Sequence, residues 1–314
     1  MSAPARTLAT SAGRLTLGGD SDPPAPLIMG IVNATPDSFS DAGLAQTLDA
    51  RVALAAAQLD DGAALIDVGG ESGTTDRPPV TAEEEIARVV PVIAALVSAL
   101  GARVSVDTYK PAVARAAIAA GASIVNDVSG LRDPQLADVC AQTGAGLVVM
   151  HTIAPPKQRL HDRSLDGRIA GEVRRFLAER IAVALDHGVA AEQLVVDPGP
   201  DFSKTPSQSI EVLRELGALH ELGRPILLAV SRKDFVGALT GRAPRERLGG
   251  TLGAVAHGVR AGAHLLRLHD VGAAHDFLTV LGALDGCTPV DPDLRVDDRL
   301  RWDRAAPASD PTAR

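Results

Sequence analysis

Apolar and polar positions alternate along this chain on two length scales, and residues 104–130 show the pattern most clearly. Residues 104–106 form a short β-branched run, which indicates a strand. Pro111 suits the first turn of a helix, where its missing N–H costs nothing, and Gly121 suits the end of that helix. Apolar residues recur between them at helical spacing, and a second apolar run follows. The segment therefore predicts strand, helix and strand.

This pattern recurs along most of the chain. We predict strands at residues 27–32, 64–68, 104–106, 123–125, 146–150, 193–196, 225–230 and 264–268, with helical segments between them. Alternating strands and helices are typical of α/β proteins with a parallel sheet. A count of eight favours a single (β/α)8 TIM barrel over residues 27–285 rather than a doubly wound open sheet.

Two segments lie outside the predicted barrel. Residues 1–26 are interpreted as an N-terminal tail, disordered over residues 1–10 and with a possible short strand at residues 14–17. Residues 286–314 are rich in charged residues and proline, which is typical of a tail rather than of a core.

Composition narrows the class of protein. The chain has 314 residues, of which 46% are hydrophobic but only 2% aromatic, so its core must consist of Ala, Val, Leu and Ile. A formal net charge of −8 gives no positive surface for nucleic acid. The two cysteines lie far apart, which fits a reducing compartment. With neither a signal peptide nor a membrane-spanning run, we expect a cytoplasmic protein without nucleic-acid or membrane partners.

Polar residues stand where the predicted strands end. They are Asn33, Glu71, Asp107, Asn126, His151, Asp197, Lys233 and, from the last strand, Arg267 and His269. Each alone has a simpler explanation, since Asp107 could cap a helix, Asp197 could form a turn and His151 could be packed. Because the carboxyl ends of parallel barrel strands meet at one face, the whole set predicts an active site there.

The residue types indicate the chemistry of that site. A buried carboxylate accepts two parallel N–H bonds from an amino-pyrimidinone edge, and Asn offers both donor and acceptor. Lys233, Arg267 and His269 follow the last two strands, where this fold commonly binds phosphate. The combination suggests group transfer from a pyrophosphorylated heterocycle. The sequence shows no nucleophile–His–acid triad, HExxH or Walker motif.

From about Leu27 to Leu284 the sequence resembles the dihydropteroate synthase family. The matching motifs are I-M-G-I-V-N-A-T-P-D-S-F-S-D-A-G (28–43), I-D-V-G-G-E-S (66–72), V-S-V-D-T (104–108), I-V-N-D-V-S-G (124–130), V-V-M-H (148–151), V-V-D-P-G (195–199), S-R-K (231–233) and L-R-L-H-D-V (266–271). The resemblance implies a TIM barrel, usually a homodimer. It also implies a transferase that joins 6-hydroxymethyl-7,8-dihydropterin diphosphate to p-aminobenzoate in folate synthesis and releases pyrophosphate.

The resemblance also implies roles for individual residues. The implied pterin-binding residues are Asp107, Asn126, Asp197, Lys233 and Arg267. The implied diphosphate-binding residues are Asn33, Arg267 and His269, with Asn33 also meeting Mg²⁺, the implied cofactor. The implied p-aminobenzoate-binding residues are Phe39, Thr75, Arg77, Pro78 and Ser231. Asp41, Lys233 and Arg267 are implied to be catalytic, with Asp41 stabilising a pterin cation.

Two loops depart from the family pattern. The second loop reads E-S-G-T-T-D-R-P-P (71–79) where the family has E-S-T-R-P-G, and Asp201 in D-P-G-P-D-F replaces a family glycine. We expect the added carboxylates to oppose p-aminobenzoate, an anion, while pterin binding is kept. Two alternatives stay open: a pterin-binding paralogue with weak or no synthase activity, and a pterin-dependent methyltransferase barrel. T-P-D-S-F, S-R-K and R-x-H argue against the second.

Overall fold

The computed structural model describes residues 6–17, 25–35, 47–73 and 78–301. The chain opens with an antiparallel hairpin of β1 (Arg6–Thr10) and β2 (Gly13–Leu17). The second strand lies where the sequence predicts one, over residues 14–17. The expectation that residues 1–10 are disordered is wrong for Arg6–Thr10.

The remaining strands of the described residues form one parallel sheet. They are β3 (Leu27–Asn33), β4 (Leu65–Gly69), β5 (Val104–Asp107), β6 (Ile124–Asp127), β7 (Gly146–Met150), β8 (Leu194–Asp197), β9 (Leu227–Leu228) and β10 (Leu265–Leu268). Their order is β8-β7-β6-β5-β4-β3-β10-β9. A parallel bridge between Val196 and Ile226 joins the two edges, and Val196 N donates to Pro225 O at 3.0 Å. The predicted (β/α)8 barrel is thereby confirmed.

Helices pack around this barrel. Within the described residues they are α1 (Leu48–Asp60), α2 (Ala82–Leu100), α3 (Pro111–Ala119), α4 (Gln135–Thr143), α5 (Ile169–Asp186), α6 (Pro206–Arg214), α7 (Asp234–Thr240), α8 (Leu248–Arg260) and α9 (Val271–Leu284). None of the helices in these ranges is both long and apolar enough to cross a membrane. Pro111 begins α3 as predicted.

Two predicted elements are shorter in the structure, and one helix is not predicted. The strand predicted at residues 225–230 is only Leu227–Leu228, with the bridge at Ile226 beside it. The helix predicted at residues 207–222 ends at Arg214, and a 3₁₀ segment, Leu216–Leu222, completes the span. Helix α7 is not predicted by the apolar pattern at all, because only its first two residues after Asp234 are buried.

The hairpin closes the barrel at the amino ends of its strands. Leu8 and Leu17 are fully buried against Met29, Leu65 and Leu265, which lie at or near the starts of their strands. A larger aliphatic cluster lies between the strands and the helices, as the composition predicts. With its amino end filled by apolar side chains, the barrel leaves its carboxyl end for polar chemistry.

Candidate active site

Arg267 lies at the centre of a charged group at the carboxyl ends of the strands. Its Nε lies 2.6 Å from Asp67 Oδ2, and its Nη2 lies 3.0 Å from Asp107 Oδ2. Asn126 Nδ2 donates to the same Asp67 oxygen at 3.1 Å. These residues come from β10, β4, β5 and β6, whose parallel pairing brings them together across β3. We call Asp67, Asp107, Asn126 and Arg267 the Arg267 cluster.

Burial and neighbouring charges shift the pKa values of Asp107 and Arg267 in this cluster. It raises the pKa of Asp107 to about 7, since the stabilising charge of Arg267 is offset by those of Asp67 and other carboxylates. For Arg267 burial alone would lower the pKa, but Asp67 and Asp107 outweigh it and the pKa is raised. The guanidinium therefore stays charged, while Asp107 is poised between its charged and neutral forms near neutral pH.

Asp67 is the member that sequence reasoning missed. It lies inside β4 rather than at its end, and its side chain is fully buried. Its Oδ1 has no hydrogen-bond partner among the described residues. The available signal was a charged residue within an apolar strand, I-D-V-G, which matches Arg267 within L-L-R-L. A charged residue inside one apolar strand needs a partner of opposite charge, so Asp67 and Arg267 could have been predicted to pair.

Asp197 ends β8 and is 2% exposed. Its Oδ1 accepts the N–H of Gly199 at 2.7 Å. A side chain at Gly199 would bring its Cβ within 2.3 Å of His151 O, and Gly199 has φ +60°, so only glycine fits this turn. Burial raises the pKa of Asp197 to about 6, against the Gly199 N–H and the charge of Lys233. The carboxylate is thus mostly ionised at neutral pH.

Lys204 is a second residue that sequence reasoning missed. It hydrogen-bonds to the backbone of the turn that follows Asp197. It is 3% exposed, and its ammonium donates to Gly199 O at 2.8 Å and to Phe202 O at 3.2 Å. It also lies 2.7 Å from His151 Nδ1. Burial lowers the pKa of His151 to about 2 and that of Lys204 to about 7. His151 is therefore a packed, neutral histidine, as its simpler interpretation predicts.

Lys233 lies over the ring of Phe202, with Nζ 4.3 Å from the ring centroid. Burial lowers its pKa, while the carboxylates Asp201 and Asp197 raise it. Asp201 itself points to the start of α7, where its Oδ2 accepts the N–H groups of Asp234 and Phe235. The carboxylate expected to oppose an anionic substrate is therefore engaged in hydrogen bonds with the backbone.

Ser231 and His269 form a pair next to Lys233. Ser231 Oγ lies 3.1 Å from His269 N and 2.9 Å from His269 Nδ1. The His269 backbone N–H donates to Oγ, and the hydroxyl and Nδ1 share a second hydrogen bond in which either atom can be the donor. Burial, then the charges of Arg232 and Arg267, lower the pKa of His269 to about 3, so the ring is neutral. Arg232 forms a bidentate ion pair with Asp270: Nε donates to Oδ2 at 3.1 Å and Nη2 donates to Oδ1 at 2.6 Å.

Asn33 ends β3 beside Gly69 of β4. A Cβ on Gly69 would lie 3.8 Å from Asp107 Oδ2 and 4.0 Å from Asn33 Oδ1, so the missing side chain leaves space between these two oxygens. Oxygen ligands of this kind suit Mg²⁺. In the described ranges no group of three or more His, Cys, Asp or Glu could hold a metal ion by itself. The protein thus offers a partial ligand set, which fits an ion that arrives with phosphate oxygens.

Glu71 does not join the Arg267 cluster, although it follows β4. Its carboxylate pairs with Lys110, which also pairs with Glu85 of α2, at 2.5 Å in each case. Tyr109 Oη donates to Glu71 at 3.2 Å. Lys157 Nζ lies 3.8 Å from Glu71 Oε1 and donates to Ser72 O at 2.7 Å. We call Glu71, Glu85, Tyr109, Lys110 and Lys157 the Lys110 cluster.

The Lys110 cluster anchors the start of the second loop. Arg88 of α2 adds a bond to Gly70 O at 2.8 Å. Pro78 is exposed at the other end of this loop. Phe39, Asp41, Thr75 and Arg77 lie outside the described residues, so their implied roles stay predictions.

Comparison with known proteins places this geometry in context. Residues 29–269 match the family described as pterin binding enzyme. The dihydropteroate synthase of Bacillus subtilis (strain 168) is 40% identical over 246 residues, which cover 78% of this chain and 84% of that relative. A solved structure of Xanthomonas albilineans dihydropteroate synthase with 4-aminobenzoic acid is 42% identical, with a TM-score of 0.80, covering 90% of this chain and 100% of that one. The Xanthomonas enzyme in complex with 7,8-dihydropteroate gives a TM-score of 0.74 at 44% identity, covering 84% and 95%.

Proposed function

The chain belongs to the dihydropteroate synthase family, and on that premise we propose that it joins 6-hydroxymethyl-7,8-dihydropterin diphosphate to p-aminobenzoate and releases pyrophosphate. The observation that carries the proposal is the Arg267 cluster, with Asp197 close enough for the charge of Arg267 to act on it. A pterin edge presents adjacent N–H donors and ring acceptors. Carboxylates, an amide and a guanidinium around one opening match that edge.

In this proposal Asp197 accepts N–H groups of the pterin, and Asn126 and Asp107 meet the opposite edge. Asp197 is mostly ionised at neutral pH, because its pKa is about 6, and its bond to Gly199 N fixes its orientation. Lys233 offers an ammonium to a pterin acceptor atom, and Arg267 offers a planar surface on which the ring stacks. Hydrogen bonds already hold Asp107, Asn126 and Asp197 in place, so little binding energy would be lost in ordering these side chains.

The diphosphate would lie between Asn33, Arg267 and His269. His269 is neutral, and in the tautomer that carries the proton on Nε2 it would donate to a phosphate oxygen without adding charge. When bound with the substrate, Mg²⁺ would neutralise negative charge on the departing pyrophosphate. Asn33, with Asp107 across the Gly69 gap, would contribute protein oxygens to it.

The proposed transfer begins with cleavage of the C–O bond, whose electron pair leaves with pyrophosphate. Arg267 stabilises the charge that develops on the leaving group, because its guanidinium keeps its proton. The pterin-methylene cation then accepts the lone pair of the p-aminobenzoate amine, which loses a proton. We assign stabilisation of this cation to Asp41.

The second substrate would bind late, against Ser231, Phe39, Thr75, Arg77 and Pro78. Ser231 is 9% exposed and already bonded to His269, so this side of the site is partly formed. The expected weakening by the longer second loop stays a prediction. Kinetics on a variant with the family sequence in place of residues 72–79 would test it, and an unchanged, already low KM for p-aminobenzoate would contradict it.

A pyrophosphate-release assay tests the proposed function. The wild type should release pyrophosphate from the pterin diphosphate in a manner dependent on p-aminobenzoate, and dihydropteroate should form in equal amount. Asp197→Asn should abolish release, whereas Asp60→Asn, an exposed site on α1, should not change it. Pterin binding without any release would favour a paralogue that lacks synthase activity.

We propose a cytoplasmic homodimer with small-molecule substrates. Light scattering coupled to size-exclusion chromatography would measure the mass of the assembly, and a monomer at micromolar concentration would contradict the dimer.

A further inference from the structure

We propose that Asp201 is a positioning residue that fixes the start of α7 and thereby the Lys233 ammonium. In this role Asp201 tunes pterin affinity and does not repel the second substrate. The inference rests on the proposed function for its effect on catalysis, but the contacts that carry it can be tested without turnover.

The first N–H groups of α7 are capped by a residue from outside the helix. Lys233 is the residue before this helix, and its own side chain makes no capping bond. The first N–H groups of a helix have no partner within the helix. Asp201 Oδ2 accepts two of them, from Asp234 and from Phe235, the latter at 3.3 Å. A residue of the loop after β8 thus holds the backbone directly after Lys233.

The second step is that Asp201 is itself held from α6. Ser209 Oγ donates to Asp201 Oδ1 at 3.0 Å, and Asp201 N donates to the same hydroxyl at 2.9 Å. Ser209 is fully buried. The carboxylate therefore has fixed partners on both oxygens and links two helices of the barrel.

The third step concerns the backbone. Asp201 has φ +67°, in the left-handed region that favours glycine. Aspartate tolerates this conformation better than most residues. Aspartate therefore fits this turn, and its carboxylate supplies a cap that a glycine at this position could not make.

The fourth step links the cap to the ammonium. Phe202 is the residue after Asp201, and its ring lies 4.3 Å below Lys233 Nζ. Two consecutive residues thus position Lys233, one through the backbone of α7 and the other through its ammonium. Asp201 also supplies a charge that supports the buried ammonium, together with Asp197 of β8.

Three variants separate positioning from charge. Asp201→Ala removes the cap and the charge, whereas Asp201→Asn removes only the charge, because its amide oxygen can accept the two N–H groups and its NH₂ can donate to Ser209 Oγ. Asp201→Gly relaxes the backbone and loses the cap. Asp297→Ala is the control, since Asp297 caps a turn in the C-terminal segment by accepting from Arg299 N at 2.9 Å.

Pterin diphosphate affinity by calorimetry and KM for p-aminobenzoate are the first two readouts. We expect Asp201→Ala and Asp201→Gly to weaken pterin affinity five- to tenfold and Asp201→Asn to stay within twofold of the wild type. KM for p-aminobenzoate should change less than twofold in all three. A lower KM for p-aminobenzoate in both the Ala and the Asn variants, with unchanged pterin affinity, would show a repelling charge and overturn the proposal.

Hydrogen exchange of the peptide that covers α7 is the third readout, and it needs no substrate. Protection should fall in Asp201→Ala and persist in Asp201→Asn. Equal protection in all variants would overturn the cap. If the wild type bound no pterin, the proposed function would fail, while this exchange pattern would still decide whether Asp201 holds α7.

Discussion

The Arg267 cluster and the Lys110 cluster lie at the same end of the barrel, yet they are built in different ways. In the Arg267 cluster three charged side chains and one amide project from four strands, and strand pairing fixes their positions. In the Lys110 cluster one long side chain from a loop reaches Glu71 and Glu85 at once. Holding a lysine side chain in one rotamer costs up to about 2 kcal/mol of entropy.

From this difference we expect changes in the two clusters to affect the two proposed substrates differently. A pocket fixed by strand register can be complete before any ligand binds. A loop held only at its base by long side chains can change its length and sequence without disturbing the barrel, since loops tolerate insertion. We therefore expect variation in this chain to affect the second substrate first, and the following predictions test that separation.

The largest effect should come from Arg267→Lys. A single ammonium cannot replace a guanidinium that contacts Asp67 and Asp107 through separate nitrogens. We expect pterin binding to weaken by about 2–5 kcal/mol, the usual range for breaking a buried, hydrogen-bonded charge pair. Calorimetric titration would measure it, with Arg174→Lys on α5 as a control at an exposed pair. Unchanged affinity would mean that the strands alone shape the pocket.

The next largest effect should be on the pH dependence of stability, which Asp197→Asn should change. The folded chain raises the pKa of Asp197 from 3.8 to about 6, so the native state binds this proton more tightly than the unfolded chain does. That contribution to stability is present below pH 4 and is lost as pH rises through 6. Between pH 4 and 7 the wild type should therefore lose more stability than the variant, by about 3 kcal/mol at most.

Urea unfolding at both pH values would measure this difference, since other groups titrate in both proteins and largely cancel. A parallel loss in the two proteins would show that Asp197 carries no stability cost. The expected outcome, a variant that binds no pterin but tolerates neutral pH better, would mark Asp197 as a residue kept for function at the expense of stability.

The barrel could be predicted from sequence because its strands are apolar runs of regular spacing. Each parallel strand pairs on both sides within the barrel, so periodicity and burial agree. The hairpin strand Arg6–Thr10 was missed because its only fully buried residue is Leu8, too little for a visible pattern. Its position depends on contacts with residues far along the chain, such as the bond from Arg103 Nη1 to Thr10 Oγ1 at 3.3 Å.

The site was predicted where a polar residue ends a strand, and missed where support comes from elsewhere. Arg267, Asp107 and Asn126 lie together as expected. Asp67 was missed because its partners, Asn126 and Arg267, lie far away in sequence. Lys204 was missed because its contact with His151 spans 53 residues. Neither the cap by Asp201 nor the pairing of Glu71 with Lys110 follows from residue spacing, since both join separate loops.

A smaller effect, on the second substrate alone, should come from Lys110→Met. Burial alone would lower the pKa of Lys110, but its bonds to Glu71 and Glu85 outweigh burial and raise the pKa, so the ammonium is charged. Its loss leaves two carboxylates facing each other and frees the base of the second loop. We expect KM for p-aminobenzoate to rise about tenfold, equivalent to about 1.4 kcal/mol, with pterin affinity within twofold.

Arg115→Met, on the exposed face of α3, is the matched control for Lys110→Met. Steady-state kinetics with each substrate varied in turn would separate the two halves of the site. Equal losses for pterin and p-aminobenzoate would mean that the two clusters are coupled, and the comparison between them would fail.

The smallest effect should come from Thr81→Ala at the far end of the second loop. Thr81 caps α2 by accepting the Glu84 N–H at 3.2 Å, while the Glu84 side chain bonds to Arg88. Losing the cap should cost about 1 kcal/mol of stability, measured by urea unfolding, while Thr81→Ser should cost much less. If the Lys110 cluster positions the loop, KM for p-aminobenzoate should stay within twofold. A tenfold rise would instead assign that role to the start of α2, and the Lys110 cluster would be only a structural ion pair.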